Sequence, residues 1–89
     1  MNTTNTPSDT SDKNLDTLTT REWDVLLLVA EDISNNEIAD KLHLTTESVK
    51  TYRARISDKL IISGRDSLAR YARKNGPFLR DMHVQLYPP

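Results

Sequence analysis

The sequence has 89 residues, of which 36% are hydrophobic, and its 12 Lys or Arg residues against 13 Asp or Glu residues give a formal net charge of −1. A chain of this length supports one small domain and excludes a multi-domain enzyme with a deep cleft between its lobes. The absence of cysteine excludes disulfides and thiolate zinc sites, and His43 and His83 alone are too few to hold a metal ion.

Residues 1–16 are rich in Ser, Thr, Asn and Asp and contain a single large aliphatic residue, Leu15. A segment of this composition cannot bury enough apolar surface to become ordered. We therefore expect a disordered tail over residues 1–16, with a linker to a separate sensor as the alternative.

The sequence after the tail contains three signals for the start of a helix. In each, an apolar residue is followed directly by a polar capping residue. Thr19 and Ser34 each stand three residues before a glutamate, which is the spacing of a capping box. Thr45 is the third cap, and its acid, Glu47, stands one place early, where it still favours the positive end of a helix. The apolar spacing predicts that these helices cover residues 20–31, 35–42 and 46–60.

A fourth helix is predicted over residues 65–75, ended by Gly76-Pro77. Residues 78–89 contain an alternation of apolar and polar side chains, which is a weak strand-like signal. Because no partner strand is predicted, we expect a loosely packed extension there, or a contact with a partner. The predicted fold is therefore all-α, a compact four-helix domain over residues 17–77.

The second and third helices are joined by the tight connection His43-Leu44, which indicates a helix-turn-helix. In this motif the second helix enters the DNA major groove by its N-terminal end. A net charge near zero, taken alone, argues against a nucleic-acid partner. However, residues 18–45 hold two basic and six acidic residues, whereas residues 46–76 hold eight basic and three acidic residues. The third and fourth helices thus form a basic half of the chain.

The outward face of the third helix is the candidate base-reading surface. On a helical wheel at ~100° per residue, Thr51 and Ala54 lie opposite the apolar stripe, with Lys50 on one shoulder. The two small residues let a helix sink into the major groove, where Lys50 can donate to guanine and the methyl groups can touch thymine. Arg55, Lys59 and, as a further candidate, Arg53 would then reach phosphates. The wheel alone fits an ordinary solvated helix face equally well, and the helix-turn-helix position favours DNA.

A pattern of motifs runs without a gap from residue 18 to residue 76. It comprises Leu18, Thr19, Arg21, Glu22, Val25 and Leu26, then Ser34, Asn35, Glu37, Ile38, Ala39 and Leu42, then Val49, Lys50, Ile56, Lys59 and Leu60, and finally Arg65 and Ala69. This pattern resembles the LuxR-type DNA-binding domain, the four-helix module at the C-terminal end of many bacterial response regulators and quorum-sensing receptors.

The resemblance implies a transcription regulator that binds double-stranded promoter DNA with its third helix in the major groove, as a homodimer through the fourth helix. It implies base contacts by Lys50, Thr51 and Ala54, phosphate contacts by Ser34, Asn35, Asn36, Ser48 and Arg55, and dimer contacts by Ser67, Arg70, Tyr71 and Lys74. RNA polymerase or a sensor protein would be a further partner. We expect no cofactor, no metal and no membrane contact, and a cytoplasmic location, since no stretch reaches the ~20 apolar residues of a membrane span.

Three departures from the family pattern bear on function. Asn36 stands where Lys is common and Asp32 where a turn Gly is common, so positive charge is lost near the DNA backbone. Ile61 stands where Gly usually follows Lys-Leu, so the third helix either continues or closes without a left-handed residue. We expect control by phosphorylation or an autoinducer not to be carried within this chain, because the 17 residues before Leu18 are too few for a receiver or ligand-binding domain.

Other classes of protein fit the sequence less well. A promoter reader of the sigma-factor region-four type has a similar helix-turn-helix, but the fourth helix favours the LuxR type. A helical interaction module that sequesters or partners a larger LuxR-type regulator, without binding DNA itself, would account for the acidic first half. An enzyme is the least supported class, because the helices suggest no spacing of base and nucleophile.

Overall fold

A computed structural model describes residues 14–89, so residues 1–13 of the tail expected over residues 1–16 lie outside the described residues. A 3₁₀ turn, Leu15–Thr17, is followed by helices α1 (Thr20–Ala30), α2 (Asn35–Leu42), α3 (Thr46–Leu60), α4 (Ser67–Lys74) and α5 (Gly76–Leu86). This part of the chain contains no strand, which confirms the all-α class.

The first three helices begin where their capping residues predict. The Thr19 hydroxyl accepts a hydrogen bond from the Glu22 amide at 3.1 Å, and the Glu22 carboxylate accepts one from the Thr19 amide at 2.8 Å. Ser34 forms the same capping box with the glutamate three residues later. Thr45 caps α3 by accepting from the Ser48 amide at 3.0 Å, without a reciprocal glutamate. Each cap satisfies amides that the helix itself leaves unpaired.

The core lies around α1, which contacts all four other helices. Trp23 of α1 is fully buried, as are Ile38 of α2 and Ile56 of α3. Burial of apolar side chains is the main stabilising contribution, at about 1.5–3 kcal/mol for each large one. The buried apolar residues are Leu15, Leu18, Trp23, Val25, Leu26, Val29, Ile38, Ala39, Val49, Ile56, Leu60, Leu68, Ala72 and Leu79.

The predicted helix-turn-helix is formed by α2 and α3. His43 ends α2 in the left-handed conformation, with φ 58° and ψ 45°. The next amide, that of Leu44, donates to the Ala39 carbonyl at 2.8 Å, which pairs a free carbonyl at the end of α2. This reversal brings Thr45 into the capping position of α3 within two residues, so the two helices are held close together.

The end of α3 differs from both alternatives that the sequence left open. Ile61 adopts φ 57° and ψ 48°, which is the left-handed conformation, and the Ile62 amide donates to the Ser57 carbonyl at 2.9 Å. A left-handed conformation costs an L-residue about 1–2 kcal/mol, and it is least suited to a β-branched side chain. The Ile61 side chain is 73% exposed, so packing does little to offset this cost.

The C-terminal segment was predicted wrongly as a loose extension, because residues 76–86 form α5. Gly76-Pro77 begins this helix instead of merely ending α4, since proline at the first turn needs no amide and already has a helical φ. Leu79 is fully buried, and Met82 packs against the core. These residues and Leu86 are spaced at i, i+3 and i+7, a helical pattern that the strand-like alternation concealed.

Within residues 14–89, the packed part of the chain includes Leu15, which lies ahead of the expected boundary at residue 17. Leu15 is fully buried, and the Thr17 carbonyl accepts a hydrogen bond from the Lys59 ammonium at 3.1 Å. The fourth helix is also shorter than predicted, because Asp66 has φ 60° and α4 starts only after it. A left-handed residue cannot lie inside a right-handed helix.

Candidate nucleic-acid interface

The three residues expected to read bases lie together on the solvent side of α3. Lys50, Thr51 and Ala54 are all exposed, whereas Val49 and Ile56 are fully buried on the opposite side. The Thr51 hydroxyl donates to the Glu47 carbonyl at 3.1 Å, so its hydrogen bond is made within the helix. The methyl group of Thr51 and the acceptor side of its hydroxyl oxygen are therefore left for contact with another molecule, and the face is small at its centre.

The ammonium of Lys50 lies beside this small face. It is 3.5 Å from a carboxylate oxygen of Glu47, and the two side chains are 59% and 84% exposed. An ion pair this open to solvent contributes little, about 0.5 kcal/mol or less. Lys50 can therefore exchange this partner for another acceptor at small cost.

A shallow open groove runs along the other shoulder of α3. It is lined by Glu47, Ser48, Thr51, Tyr52 and Arg55. The Arg55 guanidinium lies 5.9 Å from the centre of the Tyr52 ring, a cation–π contact that restricts an otherwise exposed side chain. The helix thus carries one cation on each shoulder of its outward face.

The start of α2 is joined to α3 by two amide side chains. Asn36 accepts a hydrogen bond from the Thr46 hydroxyl at 3.0 Å, and Asn35 accepts one from the Arg53 guanidinium at 3.1 Å. Both contacts use the carbonyl oxygen of the asparagine, so each NH₂ group remains a possible donor. The Ser34 hydroxyl is already used in the cap of α2.

Arg53, next to the outward face, belongs to the scaffold. It is half-buried, and burial lowers its pKa while the Asp66 carboxylate raises it, with a net lowering. Its guanidinium connects α3 to α2 through Asn35. Arg53 therefore helps to hold the two helices of the helix-turn-helix together.

The structure gives Lys59 a partner that the helical wheel missed. Its ammonium lies 2.7 Å from a carboxylate oxygen of Glu22, whose side chain is 4% exposed. Burial raises the pKa of Glu22, but hydrogen bonds from Lys59 and from the Thr19 amide, with the Lys59 charge, outweigh burial and lower the pKa. Lys59 thus stabilises the packing of α3 against α1, and its expected phosphate contact stays a prediction.

The residues expected at a dimer contact share one side of α4. Arg70 and Lys74 are exposed, whereas Ser67 and Tyr71 are half-buried, and Leu68 and Ala72 face the core. The Ser67 hydroxyl donates to the Gly64 carbonyl at 2.7 Å, and the Arg70 guanidinium donates to the Arg65 carbonyl at 3.3 Å. Arg73 lies outside this group and forms an ion pair with Asp32 at 3.3 Å.

Residues 14–89 contain no helix with both the length and the apolar character that a membrane crossing requires. In the same residues, no three or more His, Cys, Asp or Glu side chains gather into a group that could bind a metal ion.

Comparison with known proteins finds a family match over residues 16–72, to the bacterial regulatory proteins of the luxR family. The transcriptional regulatory protein LiaR of Bacillus subtilis (strain 168) is 42% identical over 60 residues, which cover 67% of this chain and 28% of LiaR. The response regulator protein VraR is 44% identical over 55 residues in both Staphylococcus aureus (strain NCTC 8325 / PS 47) and Staphylococcus epidermidis, covering 62% of this chain and 26% of VraR.

The chain therefore spans little more than a quarter of the length of these relatives. No solved structure is significantly similar to it. The family match covers α1 to α3 and most of α4, and it stops before α5. Because it covers more than half of the chain, the protein belongs to the luxR family of bacterial regulatory proteins.

Proposed function

We propose that this chain is a sequence-specific DNA-binding transcription regulator that inserts α3 into the major groove of promoter DNA. One observation carries the proposal. The second helix of a helix-turn-helix presents Thr51 and Ala54, which are small and exposed, between the cations Lys50 and Arg55. A small face lets the helix approach the bases, and the flanking cations suit a groove bordered by phosphates.

The proposed base contacts follow from the groups that the helix exposes. Lys50 donates to guanine O6 or N7, while the methyl groups of Thr51 and Ala54 touch thymine methyl groups. The proposed phosphate contacts are made by Arg55 and Ser48 on α3 and by the amide and hydroxyl groups at the start of α2, Ser34, Asn35 and Asn36. Phosphate contacts fix the register of the protein on DNA without reading the base sequence.

We further propose that two copies pair through the outer side of α4, at Ser67, Arg70, Tyr71 and Lys74. Pairing would place two α3 helices on two half-sites of DNA. Because Arg70 and Lys74 of the two copies would lie near each other, like charges weaken the contact in the absence of DNA. We expect a regulator of this kind to act in the cytoplasm, with RNA polymerase or a sensor protein as a further partner.

A second candidate function is that of a protein-interaction module that binds a larger LuxR-type regulator without binding DNA. The acidic residues on the first two helices favour it, since Glu31, Glu37 and Asp40 are exposed and would repel phosphates. This module would use the outer side of α4 to pair with its target.

Selection of bound fragments from genomic DNA with the purified chain tests the first function. We expect recovery of a shared sequence, and an affinity for it that falls linearly with salt on a logarithmic scale. An absence of salt-sensitive DNA binding, together with pairing to a full-length LuxR-type regulator, would support the second function instead.

A further inference from the structure

Glu47 is an acidic residue on the helix face that we propose to place against DNA. It lies in the first turn of α3, and its side chain is 84% exposed. The cap of this helix is the Thr45 hydroxyl, which accepts from the Ser48 amide, so the carboxylate of Glu47 takes no part in it. Glu47 favours the positive end of the helix, but beside phosphates a carboxylate opposes binding unless it meets a hydrogen-bond donor of the DNA.

The chemistry of a carboxylate limits what it can accept in the major groove. It has only acceptor atoms, so it is repelled by phosphates and by the acceptors of guanine. The groove presents donors at the N4 amino group of cytosine and the N6 amino group of adenine. Adenine carries the N7 acceptor beside its amino group, whereas cytosine presents the amino group alone, so cytosine suits the carboxylate better.

The neighbouring ammonium completes a matching pair of groups. Lys50 Nζ lies 3.5 Å from Glu47 Oε2, one turn along the same helix. A guanine–cytosine pair exposes the guanine acceptors O6 and N7 and the cytosine amino donor along one edge. A cation and a carboxylate side by side are complementary to that edge.

We propose that Glu47 is a specificity-determining residue that accepts a hydrogen bond from the N4 amino group of a cytosine while Lys50 donates to guanine. The inference rests on the proposed function, because it requires α3 to lie in the major groove. In the free protein the two side chains partner each other, and their exposure makes this contact easy to break. Glu47 thus lowers affinity for DNA in general and favours one base pair.

The test compares Glu47→Ala and Glu47→Gln with the wild-type chain on a randomised duplex pool and on a non-specific duplex, at one fixed salt concentration. We expect the wild type to prefer cytosine at one position by about tenfold. Glu47→Ala keeps only the part of this preference that Lys50 reads at the paired guanine, and it binds the non-specific duplex more tightly, because a charge that repels phosphates is gone. Glu47→Gln shifts the preference towards adenine, whose N6 and N7 suit an amide.

Asp58→Asn is the matched control, since Asp58 is an exposed acid of the same helix, three turns from its N-terminal end. The control keeps the wild-type base preference. If the Glu47 variants bind specifically with unchanged preference and differ only in thermal stability, Glu47 acts on the helix alone and this inference is wrong. If the wild type shows no salt-sensitive binding to any duplex, the proposed function itself fails, and the inference with it.

Discussion

The ion pair between Glu22 and Lys59 gives a prediction in which the two partners are not equivalent. The side chain of Glu22 is 4% exposed and that of Lys59 is 34% exposed. Lys59→Met leaves a buried carboxylate without its cation, whereas Glu22→Gln leaves an ammonium that water can reach. Breaking a buried pair costs about 3–5 kcal/mol, and we expect about 3 kcal/mol for Lys59→Met because the Thr19 amide still donates to Glu22.

Glu22→Gln should lower the free energy of unfolding by less than Lys59→Met does, about 1–2 kcal/mol, because glutamine still accepts one hydrogen bond and buries no charge. Urea unfolding followed by fluorescence measures both losses, since Trp23 is the only tryptophan and is fully buried. Asp24→Asn is the control, because the pair between Arg21 and Asp24 is exposed and 3.7 Å long. Asp24→Asn should lower the free energy of unfolding by no more than about 0.5 kcal/mol.

The same pair predicts a dependence of stability on pH. The pKa of Glu22 is lowered by folding, so the stabilisation it provides is present above the pKa of the unfolded chain and is lost as the pH falls through the lower folded value. In Lys59→Met the carboxylate protonates more readily, so the stability gap between wild type and variant should narrow below about pH 4.3. This reasoning would be refuted if Lys59→Met and Glu22→Gln lowered the free energy of unfolding equally at pH 7, and if the difference in stability between wild type and Lys59→Met stayed constant in acid.

Three further predictions use the same unfolding assay or a DNA-binding titration. Ile61→Gly should raise the free energy of unfolding by about 1 kcal/mol, because glycine adopts a positive φ without strain; an unchanged or lower value would mean that Ile61 is unstrained. Leu79→Ala should cost about 3 kcal/mol because Leu79 is fully buried, whereas Val84→Ala, at a side chain 53% exposed, should cost less than about 0.5 kcal/mol; similar losses would mean that α5 does not pack as described. Lys50→Ala should weaken DNA binding and relax base preference, whereas Arg55→Ala should weaken it uniformly and lower the salt slope by about one; identical effects would contradict the division between base and phosphate contacts.

Local signals in the sequence were sufficient for the starts of the first three helices. Thr19, Ser34 and Thr45 are caps whose partners lie three residues away, so their geometry is decided within one turn. The outward face of α3 was predictable for a similar reason. Its exposure follows from the helical period once the apolar stripe is known.

Features that depend on distant residues could not be predicted in this way. Lys59 and Glu22 are 37 residues apart in the chain and 2.7 Å apart in space, so the helical wheel of α3 alone could not reveal this ion pair. The helix α5 was missed because Gly76-Pro77 is compatible with both the end of one helix and the start of another. Its burial against α1, where His83 lies 5.4 Å from the Trp23 ring, decides between them.

The left-handed conformation of Ile61 was not predicted because tertiary structure overrides its local preference. A β-branched residue disfavours the left-handed conformation. However, the side chain of Leu60 is buried in the core, and the side chain of Ile62 packs against the core. The chain reverses between them, and Ile61 carries the strain.

Reading of DNA by α3 is tested by the affinity of the purified wild-type chain for its selected duplex, measured across a range of salt concentrations. We expect a linear fall of log K with log salt and a preference for the selected duplex over a scrambled one of about a thousandfold or more. An affinity that is independent of salt, or equal for the two duplexes, would contradict it.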